Sequence, residues 1–150
     1  MEASAKRVLV VAHRTAATPA LLHAVRKRAQ EGDATFTLLV PNPAHGLHRV
    51  VDPEDASHDE AEATVELAIP LLEEATKSRV ESIVGTSEPL AAIQDAMNLH
   101  GPFHEIIIST LPKRVSRWVR LDLPHKAAGL GVPVTTVTAR GTEHLEAHGV

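Results

Sequence analysis

The sequence contains no cysteine and very few aromatic residues, and these two shortages exclude several kinds of protein. Without cysteine there is no disulfide and no thiolate chemistry, so a disulfide-stapled secreted domain is excluded. The only aromatic residues are Phe36, Phe103 and Trp118. We therefore expect an aliphatic core, and we expect none of the aromatic stacking platforms that bind RNA or single-stranded DNA.

The sequence also lacks a long apolar run and an excess of positive charge. No stretch approaches the roughly 20 apolar residues of a membrane-spanning helix, and the start "MEASAKRV" has no apolar core of a signal peptide. The formal charge of −4 argues against attraction of the whole surface to nucleic acid or anionic lipid. These features predict a cytoplasmic protein that binds neither nucleic acid nor membranes.

Five short aliphatic segments alternate with segments of helical periodicity. Continuous runs such as "VLVV" and "EIII" are typical of strands covered on both faces, and the alternation predicts a parallel sheet with right-handed crossovers. With the first strand central and the more polar third strand at an edge, the strand order is 3-2-1-4-5. We predict an α/β, Rossmann-like, three-layer α/β/α sandwich over residues 1–140, followed by a flexible tail at 141–150. The strands are expected at residues 7–12, 34–40, 79–85, 103–110 and 131–139.

Capping residues and one proline predict where the helices begin and break. Thr18, Ser87 and Asp122 each have the side chain of a helix N-cap, and each stands next to or near a proline suited to the first turn. A further helix is expected to begin between residues 57 and 59. Pro70 lies inside that helix and predicts a kink or a break.

Polar residues follow the first and fourth strands, where a ligand is expected. In open parallel sheets, ligands bind at the carboxyl ends of the strands where the strand order reverses, here between strands one and four. The segments "HRT" and "STLPKR" leave those strands and carry hydroxyl and cationic groups, which suit phosphate oxygens. The predicted ligand-binding residues are His13, Arg14, Thr15, Val40, Ser109, Thr110, Lys113, Arg114, Arg117 and Arg120.

The order of elements from Arg7 to Ala139 resembles the universal stress protein domain. "SEPLAAI" resembles that family's helix start after strand three, "IIIST" its fourth strand, and "GVPVTTV" its closing strand. The resemblance implies the adenine-nucleotide alpha-hydrolase-like fold and a role in stress response. It also implies ATP or AMP as the cofactor to be tested, and a homodimer, often formed through the last strand.

The sequence departs from that family where the family holds phosphate. ATP-binding members carry Gly-x2-Gly-x9-Gly-Ser/Thr after strand four, whereas residues 109–128 contain no glycine, and His13 stands in place of an aspartate. Glycines let backbone amides approach phosphates closely, and side chains with a Cβ obstruct that geometry. Either side-chain cations replace the glycine loop, or the phosphate site has been lost.

The basic segment after strand four has a second interpretation. Lys113, Arg114, Arg117 and Arg120 surround Trp118, and Val115 and Val119 complete an apolar row at helical spacing. A short amphipathic helix that packs Trp118 onto the sheet or onto a partner explains this pattern without a ligand. The leading hypothesis is thus a regulatory protein that binds a nucleotide or another phosphorylated small molecule. The alternative is a homodimeric interaction module, paired through the Trp118 segment or the last strand.

Metal binding and catalysis have weaker support in the sequence. His144 and His148 are four residues apart and His45 and His48 three apart, but no third ligand is fixed, so we predict no metal site. Ser109 and His13 could meet at the strand ends, yet no Gly-x-Ser-x-Gly, Walker or Gly-x-Gly-x-x-Gly motif is present. We therefore expect a non-catalytic protein.

Overall fold

The protein folds as a five-stranded parallel sheet covered by helices on both faces. The structure is a computed structural model that describes residues 5–13, 15–42, 53–112, 117–120 and 122–139. The four strand pairings are all parallel, and the order β3-β2-β1-β4-β5 confirms the predicted topology. The strands are β1 (Lys6–Val11), β2 (Ala34–Pro41), β3 (Val80–Gly85), β4 (Glu105–Thr110) and β5 (Val134–Thr138).

Five helices connect or follow these strands in the described part of the chain. They are α1 (Pro19–Glu31), α2 (Pro53–Thr76), α3 (Pro89–His100), α4 (Arg117–Arg120) and α5 (Leu123–Ala128). Among the helices of the described ranges, none combines the length and the apolar character needed to cross a bilayer.

Two aliphatic layers, one on each face of the sheet, form the core. Side chains alternate along β1, so that Val10 packs with Leu21 of α1 and Leu72 of α2, whereas Leu9 packs with Ile93 of α3. All of these side chains are at most 1% exposed. A sheet covered on both faces requires continuous aliphatic strands, and the three-layer prediction is confirmed.

Helix α2 differs most from the sequence prediction. It begins at Pro53 rather than between residues 57 and 59, and it continues without interruption past Pro70 to Thr76. A proline inside a helix removes one intrahelical hydrogen bond, here to the carbonyl of Glu66. Both Pro70 and Glu66 are exposed, so water is available near that carbonyl, and the apolar side of α2 remains packed on the core. Of the predicted kink or break at Pro70, the break is therefore wrong, and the kink stays a prediction.

Two helix starts use hydrogen bonds other than the predicted ones. Thr18 precedes α1, but its hydroxyl donates to the Thr15 carbonyl oxygen at 2.9 Å and accepts nothing from the helix. At α3 the capping residue is Glu88 rather than Ser87, and its Oε1 accepts from the Ala91 amide at 3.1 Å. A longer side chain one residue later thus makes the bond that was predicted for the serine hydroxyl.

An ion pair joins α1 to the start of β4. Arg28 donates from Nε to Glu105 Oε1 at 2.8 Å and from Nη2 to Oε2 at 2.7 Å. The two side chains are 15% and 27% exposed, respectively. The hydrogen bonds from Arg28 lower the pKa of the Glu105 carboxyl below its usual value, against the opposing effect of burial, and the Arg28 charge adds to them. This paired geometry is stronger than that of an ordinary surface ion pair.

Replacing Glu105 with glutamine is expected to lower the free energy of unfolding at pH 7 by about 1–2 kcal/mol, between the values for exposed and buried pairs. Because the folded-state pKa of Glu105 is depressed, its contribution is complete above the unfolded-state pKa and is lost as pH falls through the folded-state pKa. Urea unfolding of both proteins from pH 7 to pH 3 should therefore show the difference shrinking below about pH 4.

Glu74→Gln is the matched control, since Glu74 pairs with Lys77 at 2.8 Å but is 72% exposed. It should leave the stability at pH 7 unchanged within error. An effect of Glu105→Gln that is no larger than that of Glu74→Gln would contradict the assigned role of the Arg28 pair.

Candidate functional site

Strands β1 and β4 lie side by side, and the residues that follow them leave the sheet at the same edge. Val11 pairs with Ile108 at the last matched position of the two strands. Ser109 and Thr110 complete β4, while His13 and Thr15 follow β1. The structure thus brings these four predicted residues to the point where the strand order reverses. In open parallel sheets this is where a ligand binds.

Thr15 and Ser109 form a closed hydroxyl pair at this edge. Their side-chain oxygens are 2.6 Å apart, and Thr15 Oγ1 is also 3.2 Å from the Ser109 carbonyl oxygen. Both contacts are satisfied if Thr15 donates to that carbonyl and Ser109 donates to Thr15. With 3% and 1% exposure, the two residues are buried. The pair ties the loop after β1 to the end of β4, and in that arrangement neither hydroxyl has a proton left for a ligand.

Thr110 has a buried hydroxyl that forms no hydrogen bond with any described residue. Side chains alternate along β4, so Thr110 lies on the same face as Ile106 and Ile108, opposite to Ser109. Thr110 is 2% exposed, and its Oγ1 has no hydrogen-bond partner among the described residues. Leaving a hydroxyl in this state costs about 1–3 kcal/mol, and such a group in a native protein calls for an explanation, such as local strain, a functional role, or a bound water, ion or ligand. The strand itself is held, since the Thr110 carbonyl oxygen accepts from the Ala139 amide at 2.8 Å.

The end of β2 contributes one residue that sequence reasoning missed. Asn42 follows the strand and donates from its amide to the Gly85 carbonyl oxygen at 3.0 Å. Its side-chain Oδ1 is buried and has no hydrogen-bond partner in the described part of the chain. The sequence feature that could have indicated Asn42 is an asparagine directly after a buried strand. By contrast, the side chain of the predicted residue Val40 is 0% exposed and belongs to the core layer of α1 and α2.

The predicted cations cannot be placed against these groups. Arg14, Lys113 and Arg114 lie outside the described residues. Arg117 and Arg120 belong to α4, whose backbone is described but not the side chains of these two arginines. All five therefore stay predictions for ligand binding.

Trp118 packs against its own chain. It lies in α4, is half-buried, and contacts the core layer that α3 and α5 share. This is the packing expected of a short amphipathic helix that seals the edge of the core. Asp122 stands at the predicted capping position of α5, in a left-handed conformation with φ 60° and ψ 37°, but makes no side-chain capping bond. The homodimer through this segment or the last strand stays a prediction.

The histidine pairs weighed as metal ligands, at positions 45, 48, 144 and 148, lie outside the described residues. Within the ranges that are described, no group of three or more histidine and acidic side chains is placed to hold a metal ion.

Comparison with known proteins gives matches among solved structures. The sequence matches none of the protein-family models and none of the curated proteins with which it was compared. Universal stress protein UspA from Lactobacillus plantarum superimposes with a TM-score of 0.66 at 20% identity, over 91% of this chain and 99% of that one. The universal stress protein from Archaeoglobus fulgidus gives 0.61 at 18% identity, over 88% and 93%.

A structure of the universal stress protein from Archaeoglobus fulgidus in complex with dAMP gives a TM-score of 0.55 at 15% identity, over 89% of this chain and 98% of that one. Because these identities are 20% or lower, the matches support a shared fold and nothing more specific. They agree with the strand order, the parallel pairings and the three layers described above. The chain has the fold of the universal stress proteins, which is the fold that the sequence resemblance implied.

Proposed function

We propose that this chain binds a nucleotide, or another phosphorylated small molecule, at the edge where β1 and β4 end, and that it is regulatory rather than catalytic. The observation that carries the proposal is the buried Thr110 hydroxyl without a partner among the described residues. The likeness to a protein in complex with dAMP makes adenine nucleotides, AMP and ATP first, the ligands to test.

Thr110 Oγ1 and Asn42 Oδ1, which have no hydrogen-bond partner among the described residues, differ in what they require. A threonine hydroxyl can donate to a phosphate or sugar oxygen, whereas Asn42 Oδ1 accepts only, as from an amino group of a base. Thr110 ends β4 and Asn42 follows β2, and β1 lies between those two strands. Two strand spacings place their backbones about 10 Å apart across the sheet. Side chains alternate along β2, so Asn42 continues the face of Val40, whereas Thr110 lies on the opposite face, and the proposal therefore rests on Thr110 alone.

Side chains, rather than backbone amides, would bind the phosphate. Residues 109–128 contain no glycine, so a glycine-rich loop of backbone amides is absent from this segment. Lys113 and Arg114 follow β4 within four residues of Thr110 in the sequence and are the cations proposed in its place.

The hydroxyl pair favours binding over catalysis. A serine becomes a nucleophile when a neighbouring base takes its proton. The hydroxyl hydrogen-bonded to Ser109 is that of Thr15, which cannot act as that base. Ser109 therefore holds the loop after β1 in place.

Replacing Thr110 with valine tests the proposal, because it removes the hydroxyl and nearly preserves the shape. Removing a buried group that lacks a partner should leave the free energy of unfolding unchanged or raise it. The dissociation constant for AMP, measured by isothermal titration calorimetry, should rise about tenfold, which corresponds to one lost hydrogen bond of about 1.4 kcal/mol.

Thr15→Val is the matched control. It breaks the bond with Ser109 and should lower the free energy of unfolding by about 1–3 kcal/mol. In the wild-type protein, AMP at about 100 times its dissociation constant should raise the free energy of unfolding by roughly 2.7 kcal/mol. The proposal fails if no adenine nucleotide stabilises the wild-type protein, or if Thr110→Val binds AMP as tightly as wild type does.

A further inference from the structure

Helix α2 carries an apolar stripe on its outward face, in addition to the apolar side that packs on the core. The stripe consists of Ala63, Leu67, Pro70 and Leu71, and we call it the α2 stripe; Ala63 and Leu71 each lie four residues from Leu67, and Pro70 lies three residues from it. Leu67 is 64% exposed and Leu71 is 40% exposed. The core side of the same helix is formed by Ala61, Val65, Ala68, Leu72 and Ala75.

The α2 stripe is not needed for the fold. A helix that covers one face of a sheet requires one apolar side, and the core residues already provide it. Single exposed leucines are ordinary, but here two of them are one turn apart, with Ala63 and Pro70 beside them. Their contiguity indicates a surface suited to contact with another helix.

The helix segment that carries the stripe is acidic. From residue 60 to residue 76 the sequence has five glutamates and no lysine, arginine or histidine. Glu60 and Glu74 lie seven residues before and after Leu67, so all three point in nearly the same direction, and Glu66 is next to the stripe. All three glutamates are exposed. Glu74 already pairs with Lys77 at 2.8 Å just beyond the helix and is influenced by Arg26 of α1, so the carboxylates offered to a partner are those of Glu60 and Glu66.

We propose that the α2 stripe is a docking surface for a cationic amphipathic helix of a partner protein. Leucines of such a helix would cover Leu67 and Leu71, and its lysines or arginines would pair with Glu60 and Glu66. A second copy docked through the same stripe would instead set glutamates against glutamates, which is unfavourable. The surface lies on the outer side of α2 and does not depend on the nucleotide proposal.

A synthetic helix provides the probe. A fluorescent peptide of about 18 residues, with leucines at helical spacing on one face and lysines elsewhere, should bind the wild-type protein in an anisotropy titration. The double substitution Leu67→Gln and Leu71→Gln should raise the dissociation constant at least about tenfold. Leu99→Gln is the matched control, since Leu99 is 76% exposed on α3, and it should bind as wild type does.

Three results would overturn the proposal. The first is equal binding to wild type and to the double variant, with circular dichroism showing both folded. The second is equal binding of a peptide in which glutamate replaces every lysine, because the charge would then be irrelevant. The third is a wild-type dimer in sedimentation that the double variant loses, because the stripe would then belong to a second copy of this chain.

Discussion

Replacing Ile108 with alanine is expected to lower the free energy of unfolding by about 2–5 kcal/mol, the range for deleting a buried aliphatic side chain. Ile108 is 0% exposed and lies in β4, between the central strand β1 and the edge strand β5. It packs in the layer that also holds Ile93 of α3 and Leu123 of α5. Because helices cover this layer, water cannot fill the cavity that the substitution leaves. The loss of unfolding free energy should therefore lie in the upper half of that range.

Urea unfolding followed by circular dichroism gives the measurement, with Ile108→Val and Leu99→Ala as comparison variants. Ile108→Val removes one methylene and should cost about 0.5–1.5 kcal/mol. Leu99→Ala changes a side chain that is 76% exposed and should stay within about 0.5 kcal/mol of wild type. If Ile108→Ala unfolds as Leu99→Ala does, β4 is not the buried strand described here.

Replacing Gly85 with alanine is expected to have the second large effect on the free energy of unfolding. A Cβ at this position would lie 2.7 Å from Ala92 Cβ and 3.1 Å from Leu39 Cδ1. Ala92 is on α3 and is 1% exposed, so it cannot yield without moving the helix away from the sheet. Overpacking of this kind lowers the free energy of unfolding by about 1–3 kcal/mol, and thermal and urea unfolding of Gly85→Ala should show it.

A double variant shows whether the contact with Ala92 is the cause. Ala92→Gly alone should cost about 1 kcal/mol, because glycine is a poor helix former. If the two methyl groups collide, the double variant should be more stable than the sum of the single changes predicts, by about 0.5–3 kcal/mol. Gly32→Ala is the control without a collision, since a Cβ at Gly32 would have no atom within 4 Å. Strict additivity of Gly85→Ala and Ala92→Gly would contradict the close packing of α3 on β3.

The sheet could be predicted from the sequence because its strands are buried on both faces. Runs such as Val8–Val11 and Ile106–Ile108 have no polar side to solvent, and only a central position in a parallel sheet accommodates them. The handedness of crossovers then leaves few strand orders. The polarity of the third strand was also informative, since Glu81 is exposed on the edge strand β3.

Details that depend on distant residues could not be predicted in the same way. Thr15 and Ser109 are 94 positions apart, and nothing local indicates that their hydroxyls bond to each other. The Arg28–Glu105 pair is 77 positions apart. At α3, both Ser87 and Glu88 could cap the helix, and backbone position decided for Glu88.

The sequence and the structure both direct attention to the edge where β1 and β4 end, but through different residues. Cations drew the prediction because the basic segment stands out in an acidic chain. Among the described residues, the structure points to neutral groups: the Thr110 hydroxyl, which was among the predicted residues, and the Asn42 amide oxygen, which was not. Such groups carry no signal in composition or charge, and only burial without a partner distinguishes them from ordinary polar residues.

The bond between the Ala139 amide and the Thr110 carbonyl oxygen provides the chain with an internal reporter. Exchange of that amide hydrogen with deuterium requires the bond to open, so its rate reads the local stability at Thr110. A molecule held by the Thr110 hydroxyl would slow this exchange without touching Ala139. Occupancy of the proposed ligand site between β1 and β4 would therefore be measurable just beyond the end of β5, at the outer border of the sheet.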